Sequence, residues 1–282
     1  MKILVTGSAG FIGYHLCLKL QKNKNNKIIG LDNYDPYYSV RLKIDRVKDL
    51  LKKNKNKNFS QKNLDISKYK SLEKTFKKFK PEYVVNLAAQ AGVRYSLTKP
   101  EAYLKNNIVG FFNILELSKK YAVKHLIFAS TSSVYGLNKK FPFKEQDTAD
   151  HPIQFYAATK RSNELMAHSY SYLYKMPTTG LRFFTVYGPW SRPDMSLYNF
   201  VDNIVKNKPI NVFNYGNHIR DFTYVDDIVS GIISAIKTFS LFLKIEEIFY
   251  DLYLVHMHMQ SRLKVAHSTC DRKMKDLLVN FL

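Results

Sequence analysis

Cysteine is nearly absent, with two in 282 residues, Cys17 and Cys270. That excludes a disulfide framework or a zinc site built on cysteine pairs, and it fits a reducing compartment, the cytoplasm. Long apolar runs are missing as well. The chain starts directly on Ile3-Leu4-Val5, without the charged segment and apolar run of a secretory leader. The most apolar late stretch, Phe239 to Val255, is broken by Lys244, Glu246, Glu247 and Asp251, so no membrane span is expected. Acidic residues are outnumbered, 23 against 44 Lys and Arg, for a formal net charge of +21. The excess lies in 48–57 and around Lys74, Lys77, Lys78 and Lys80, with few arginines or aromatics interleaved. It reads as solvated helix faces and a loop, not as a nucleic-acid surface, and its field would draw an anionic ligand. His256 and His258 have no third partner in the sequence to complete a metal site. Glycine and proline are missing throughout Thr238 to Leu282, odd for a segment that should turn.

What is present is a chain with 45% hydrophobic residues, enough for one large domain or two coupled ones. An apolar strand ending at Thr6 meets Gly7-Ser-Ala-Gly10-Phe11-Ile12-Gly13 and then an apolar helix through Leu20. Strand, glycine turn and helix form a dinucleotide fingerprint. The glycines allow the tight turn, the close approach of backbone N–H groups to a pyrophosphate and the packing of the helix. A second strand, Lys27 to Leu31, ends in Asp32-Asn33. A carboxylate there accepts ribose hydroxyls and repels a 2′-phosphate, which favours NAD over NADP. Further strands are expected to end at Leu64-Asp65-Ile66, at Leu87, at Ala129 and at Phe184, with helices between them. Continuous apolar strands alternating with helices predict an α/β fold, a Rossmann-type doubly wound parallel sheet covered on both faces. A long helix is expected over Pro100 to Tyr121, and a short strand over Pro209 to Phe213.

Tyr156 and Lys160 stand four apart, one turn from each other on a helix face. A free phenol has a pKa of about 10. A neighbouring ammonium favours the phenolate, so the pair makes a plausible base toward a sugar or alcohol hydroxyl. Ser130-Thr131-Ser132-Ser133 places hydroxyls at the carboxyl end of a parallel strand, where ligands bind in such sheets.

Taken together these motifs resemble the extended short-chain dehydrogenase/reductases, the NAD-dependent epimerase/dehydratase family. Within it the chain looks most like the UDP-glucuronate 4-epimerases. The resemblance runs from Met1 to about Lys237 and rests most on Ala88 to Ser96, Thr185 to Met195 and Arg220 to Asp227. Ser191 departs slightly, standing where glycine or another variable residue is expected. The resemblance implies bound NAD, with Gly7, Gly10, Phe11, Ile12 and Gly13 at the pyrophosphate. It puts Asp32 and Asn33 at the ribose, Asp65 and Ile66 at the adenine, and Leu87, Ala88, Ala89 and Asn107 along the cleft. Tyr156 would be the base, Lys160 its tuner and a ribose ligand, and Thr131 the catalytic hydroxyl, with Ser130 beside it. Thr185, Arg192 and Arg94 would lie near the sugar carboxylate or phosphates. Arg220 would meet the diphosphate, and Asn211 with Phe213 the uracil. The implied reaction is 4-epimerisation of a UDP-sugar, UDP-glucuronate to UDP-galacturonate, with hydride taken from C4 and returned to the opposite face. The resemblance also implies a homodimer.

Three other readings compete. UDP-glucose/galactose epimerisation differs only at the sugar end. A 4,6-dehydratase would carry an Asp-Glu pair after the threonine, where this chain has Ser132-Ser133. A non-catalytic nucleotide-binding protein is suggested by the tail. The expected division is an NAD-binding domain over 1–184, a substrate-binding region over 185–237, and an atypical tail over 238–282 whose composition reads as truncated or frameshifted.

Overall fold

The computed structural model describes residues 1–216, 221–242 and 253–257. Strands β1 (Lys2–Thr6), β2 (Lys27–Asp32), β3 (Phe59–Asn63), β4 (Tyr83–Asn86), β5 (His125–Thr131) and β6 (Thr178–Phe183) pair in parallel in the order β3-β2-β1-β4-β5-β6. Helices α1 (Phe11–Leu20), α2 (Val40–Lys52), α3 (Tyr69–Phe79), α4 (Pro100–Tyr103), α5 (Gly110–Lys120) and α6 (Phe155–Tyr174) connect them. β1, β4 and β5 are apolar runs because both faces are covered, whereas the edge strand β3 is polar and largely exposed. Ile3 and Val5 point into one buried cluster with Leu16 and Leu20 of α1. Leu4, one residue along and on the other face, joins Leu72 and Phe76 of α3 and Ile114 and Leu115 of α5.

β1 has β2 on one side and β4 on the other, so the strand order reverses there. The loops leaving β1 and β4 diverge at that point and open a crevice at the carboxyl ends of the strands. Gly7 forms its rim at φ +69, and a Cβ on it would lie 2.8 Å from the Ala88 nitrogen. Only glycine suits that position.

The helix expected over Pro100 to Tyr121 is present, but as α4, a π-helical turn over Leu104–Val109, and α5. The widened turn carries Asn107 into the interior. β3 stops at Asn63 instead of reaching Ile66, because its partner β2 ends at Asp32, directly opposite. No strand forms over Pro209 to Phe213. Residues 208–212 are exposed and irregular with no strand beside them, and Pro209 has no N–H to offer a ladder.

Beyond β6 the chain leaves the main sheet. β7 (Thr185–Tyr187) and β8 (Phe222–Tyr224) form a separate two-stranded parallel sheet, with α7 (Ser196–Val205) between them in sequence. α8 (Val225–Phe242) then returns to the main sheet, where Val225, Ile228, Val229, Ile232 and Ile236 pack in the α1 cluster. Within the expected tail, β9 (Tyr253–Met257) adds a seventh parallel strand beside β6. His256 lies on β9, and His258 falls outside the described residues. Among the described residues no helix is long and apolar enough to cross a membrane.

Candidate active site

A cavity of about 260 Å³ follows the crevice from the β1 turn to α6. Gly7, Gly10, Phe11, Ile12 and Gly13 all line it. Gly10 caps α1 in an extended conformation with no side-chain hydrogen bond, so the first N–H groups of the helix are left for a ligand. At the end of β2 the buried Asp32 carboxylate accepts from the backbone N–H groups of Ala9 (3.1 Å) and Tyr34 (2.9 Å). Burial pushes its pKa up, against those two bonds and the nearby Lys43 charge. Asn33, Ile66, Leu87, Ala88 and Ala89 also line the cavity. Asp65 does not. It pairs with Lys105 at 2.8 Å and accepts from the Ser67 N–H.

At the other end, Ser130, Thr131, Tyr156 and Lys160 come together from β5 and α6. Lys160 is almost wholly buried, and its Nζ donates to the Ala129 carbonyl at 2.8 Å. Burial lowers its pKa to about 8, and Glu164 pulls the other way. The expected lowering of the Tyr156 phenol by Lys160 is not what this geometry gives. Burial raises Tyr156, and the groups that lower it are the Arg192 guanidinium and the Thr131 hydroxyl. Arg192 lines the same cavity and is only partly exposed. A basic phenol, a hydroxyl, a buried ammonium and a guanidinium therefore face one space beside a dinucleotide turn.

A model of the "NAD dependent epimerase/dehydratase family" matches residues 3–244. The chain belongs to that family. It is 56% identical over 237 residues to Protein CapI of Staphylococcus aureus, covering 84% of this chain and 70% of that protein. It is 50% identical over 233 residues to a probable UDP-glucuronate 4-epimerase of Rhizobium meliloti, covering 83% of this chain and 67% of the relative. Its fold matches a Bacillus cereus UDP-glucuronic acid 4-epimerase, solved with UDP-glucuronic acid and NAD. That match has a TM-score of 0.83 and 33% identity, and covers 94% of this chain and 80% of the other.

Several residues of this family member differ from expectation. Asn107 lies beneath the cavity, which Asn106 lines instead. The Asn107 side chain accepts from the Gln90 N–H at 2.7 Å and donates to the Gln90 carbonyl and the Thr159 hydroxyl. It therefore ties the end of β4 to α6. Ser130 donates to Glu164 at 2.5 Å, so its hydroxyl is turned inward. Arg94 is exposed in a short 3-10 turn, and Thr185 and Asn211 also lie outside the cavity lining. The Phe213 side chain and Arg220 lie outside the described residues.

Other residues matter that the motifs did not single out. Fully buried Glu164 holds Arg182 through two 2.9 Å bonds and Arg161 through a third. Its helical position, one turn after Lys160, was the available sign. Arg46, with no exposed surface, donates to the Ala9, Trp190 and Ser191 carbonyls and the Tyr38 hydroxyl. Nothing in the spacing of a lysine-rich helix marks that arginine as buried.

Proposed function

We propose that this chain is an NAD-dependent 4-epimerase of UDP-sugars whose substrate is UDP-glucuronate and whose product is UDP-galacturonate. The observation that carries the reading is Arg192 set in one cavity with Tyr156, Thr131 and Lys160. A planar guanidinium suits a sugar carboxylate, with which it can make two parallel charge-assisted bonds. Gly7, Gly10, Gly13 and Asp32 would hold the cofactor. The open α1 terminus fits a pyrophosphate and the Asp32 carboxylate fits ribose hydroxyls. NAD, when bound, supplies a reversible acceptor for the C4 hydrogen with its electron pair, and its oxidised ring supplies a positive charge.

The residues of the chain handle the proton. Tyr156 takes it from the sugar 4-hydroxyl and later returns it, and Thr131 orients that hydroxyl. Burial raises the Tyr156 pKa, the wrong direction for a base, and the Arg192 charge and the Thr131 hydroxyl pull it back only in part. Lys160, anchored on Ala129, fixes the β5–α6 spacing on which this contact depends. The oxidised sugar turns about its diphosphate linkage to present its other face, breaking and remaking the Arg192 contact. Ser132 and Ser133 follow Thr131 where a dehydratase needs acidic groups, and Ser133 donates its backbone N–H to the Thr131 hydroxyl at 3.2 Å. Exposed Phe112 on α5 and Leu165 and Tyr172 on α6 offer a face for pairing with a second copy.

The test is to incubate purified chain with NAD and UDP-glucuronate, without reductant, and resolve the products. UDP-galacturonate should appear, and Tyr156→Phe should slow its formation at least 100-fold, on the order expected for loss of a general base. Faster turnover of UDP-glucose than of UDP-glucuronate would remove the acid-sugar reading. Full activity in Tyr156→Phe would remove the mechanism.

A further inference from the structure

Arg192 does not stand alone. Its Nε and Nη2 donate to the two oxygens of Asp194 at 2.9 and 2.5 Å. Asp194 also accepts from the Tyr37 hydroxyl at 3.0 Å. Burial alone would raise the Asp194 carboxyl, but the Arg192 bonds and charge, helped by Tyr37, hold it below the usual carboxylate range. A guanidinium carries five N–H groups in a fixed plane. Asp194 takes one edge of that plane, and the opposite edge, Nη1 with the second Nη2 hydrogen, is the one left to meet a ligand. Among the described residues that edge has no protein acceptor. Arg192 lines the cavity while Asp194 does not, so the carboxylate stands behind the guanidinium as seen from the site.

Tyr37 reaches this point by a built route. Its ring packs on Tyr95 with centroids 4.8 Å apart. Its hydroxyl passes over Gly92, at φ +97, where any Cβ would collide with it. The loops after β2 and β7 thus meet at a single carboxylate, and the loop after β4 packs the tyrosine that reaches it.

We propose that Asp194, itself held by Tyr37, is a positioning residue that sets the free edge of Arg192 toward the sugar carboxylate, and so biases the site toward acidic over neutral UDP-sugars. The inference rests on the acid-sugar reading above. A long arginine stem that is already fixed at one edge loses less freedom when its second edge binds. A neutral sugar has nothing to gain from that edge.

The experiment is calorimetric titration of the NAD-loaded chain with UDP-glucuronate, UDP-glucose and UDP, for wild type, Asp194→Ala, Asp194→Asn and Tyr37→Phe. Asp194→Ala should weaken UDP-glucuronate about tenfold, and Tyr37→Phe about threefold, as expected for lost charge-assisted contacts. Asp194→Asn, which keeps the volume, should fall between them, and affinity for UDP-glucose and UDP should stay within about twofold. Thermal melting of each variant checks that it folds. A merely structural residue would weaken all three ligands together, and that result, or unchanged UDP-glucuronate affinity, overturns the proposal. A wild type that binds UDP-glucose as tightly as UDP-glucuronate instead removes the acid-sugar reading itself.

Discussion

Replacing Arg46 by Met tests whether the nucleotide-binding half of the chain holds the sugar-binding loop in place. Arg46 donates to the Ala9 carbonyl (3.0 Å), the Tyr38 hydroxyl (2.8 Å), the Trp190 carbonyl (2.6 Å) and the Ser191 carbonyl (3.2 Å). Ala9 lies in the glycine turn, and Trp190 and Ser191 immediately precede Arg192. Bonds from a charged donor contribute about 1.5–3 kcal/mol each, but removing the buried guanidinium returns several kcal/mol of desolvation cost. Because the three carbonyls would stay behind with fewer partners, the lost bonds win, and a net loss of about 3 kcal/mol is expected. For a chain of this size that lowers the melting temperature by roughly 6–12 °C. Trp190 sits at φ +60, which costs a non-glycine residue about 1–2 kcal/mol and needs such anchoring to persist. Once released it should relax and carry Arg192 off the cavity, raising KM for UDP-glucuronate about tenfold. Arg46→Lys, which can reach one carbonyl but cannot fork across two, should lose about half the stability and nearly all of the sugar effect. Melting curves and steady-state kinetics on the same preparations read both quantities. A variant that melts within about 1 °C of wild type with unchanged KM would refute the reasoning, because the buried cation would then cost as much as it contributes.

Two further outcomes are expected. Asp32→Ala should weaken NAD by about 1–3 kcal/mol, the loss for an unpaired hydrogen-bonding group, and narrow the preference for NAD over NADP, measured by cofactor titration. A smaller effect on NAD than on NADP would count against the ribose role. His125, buried with Nε2 2.8 Å from the Thr179 hydroxyl, has its pKa pushed down to about 3 by burial. The unfolded chain then binds a proton below about 6.5 that the folded chain refuses. Stability from this group is complete above that pH and falls as pH drops, by about 1.4 kcal/mol per pH unit. Denaturant titrations at pH 7.5 and 5.5 should show a smaller pH loss in His125→Asn, and equal losses would refute the assignment.

The sheet was legible because its determinants are local. Unbroken apolar strands, glycines at the first turn and an acid at the end of β2 each constrain the backbone within a few residues. The Tyr156–Lys160 spacing likewise located the right helix face, but not the electrostatics, because the groups that lower the phenol, Arg192 and Thr131, come from other elements. Burial raises Tyr156, the main charge acting against it is Arg192, 36 positions later, and Arg192 in turn is held by a carboxylate two residues on that also meets a tyrosine from the loop after β2. None of those contacts follows from periodicity. The same holds for Arg46, which looks like one more solvated cation of a basic helix until the loop carrying Trp190 closes over it. The first half of the site is therefore written in the turn chemistry of single segments, whereas its sugar end is written in which loops the sheet brings together. Substitutions at Gly7 or Asp32 should act on the cofactor. Substitutions at Tyr37 and Asp194 should leave the cofactor in place and shift which sugar is accepted.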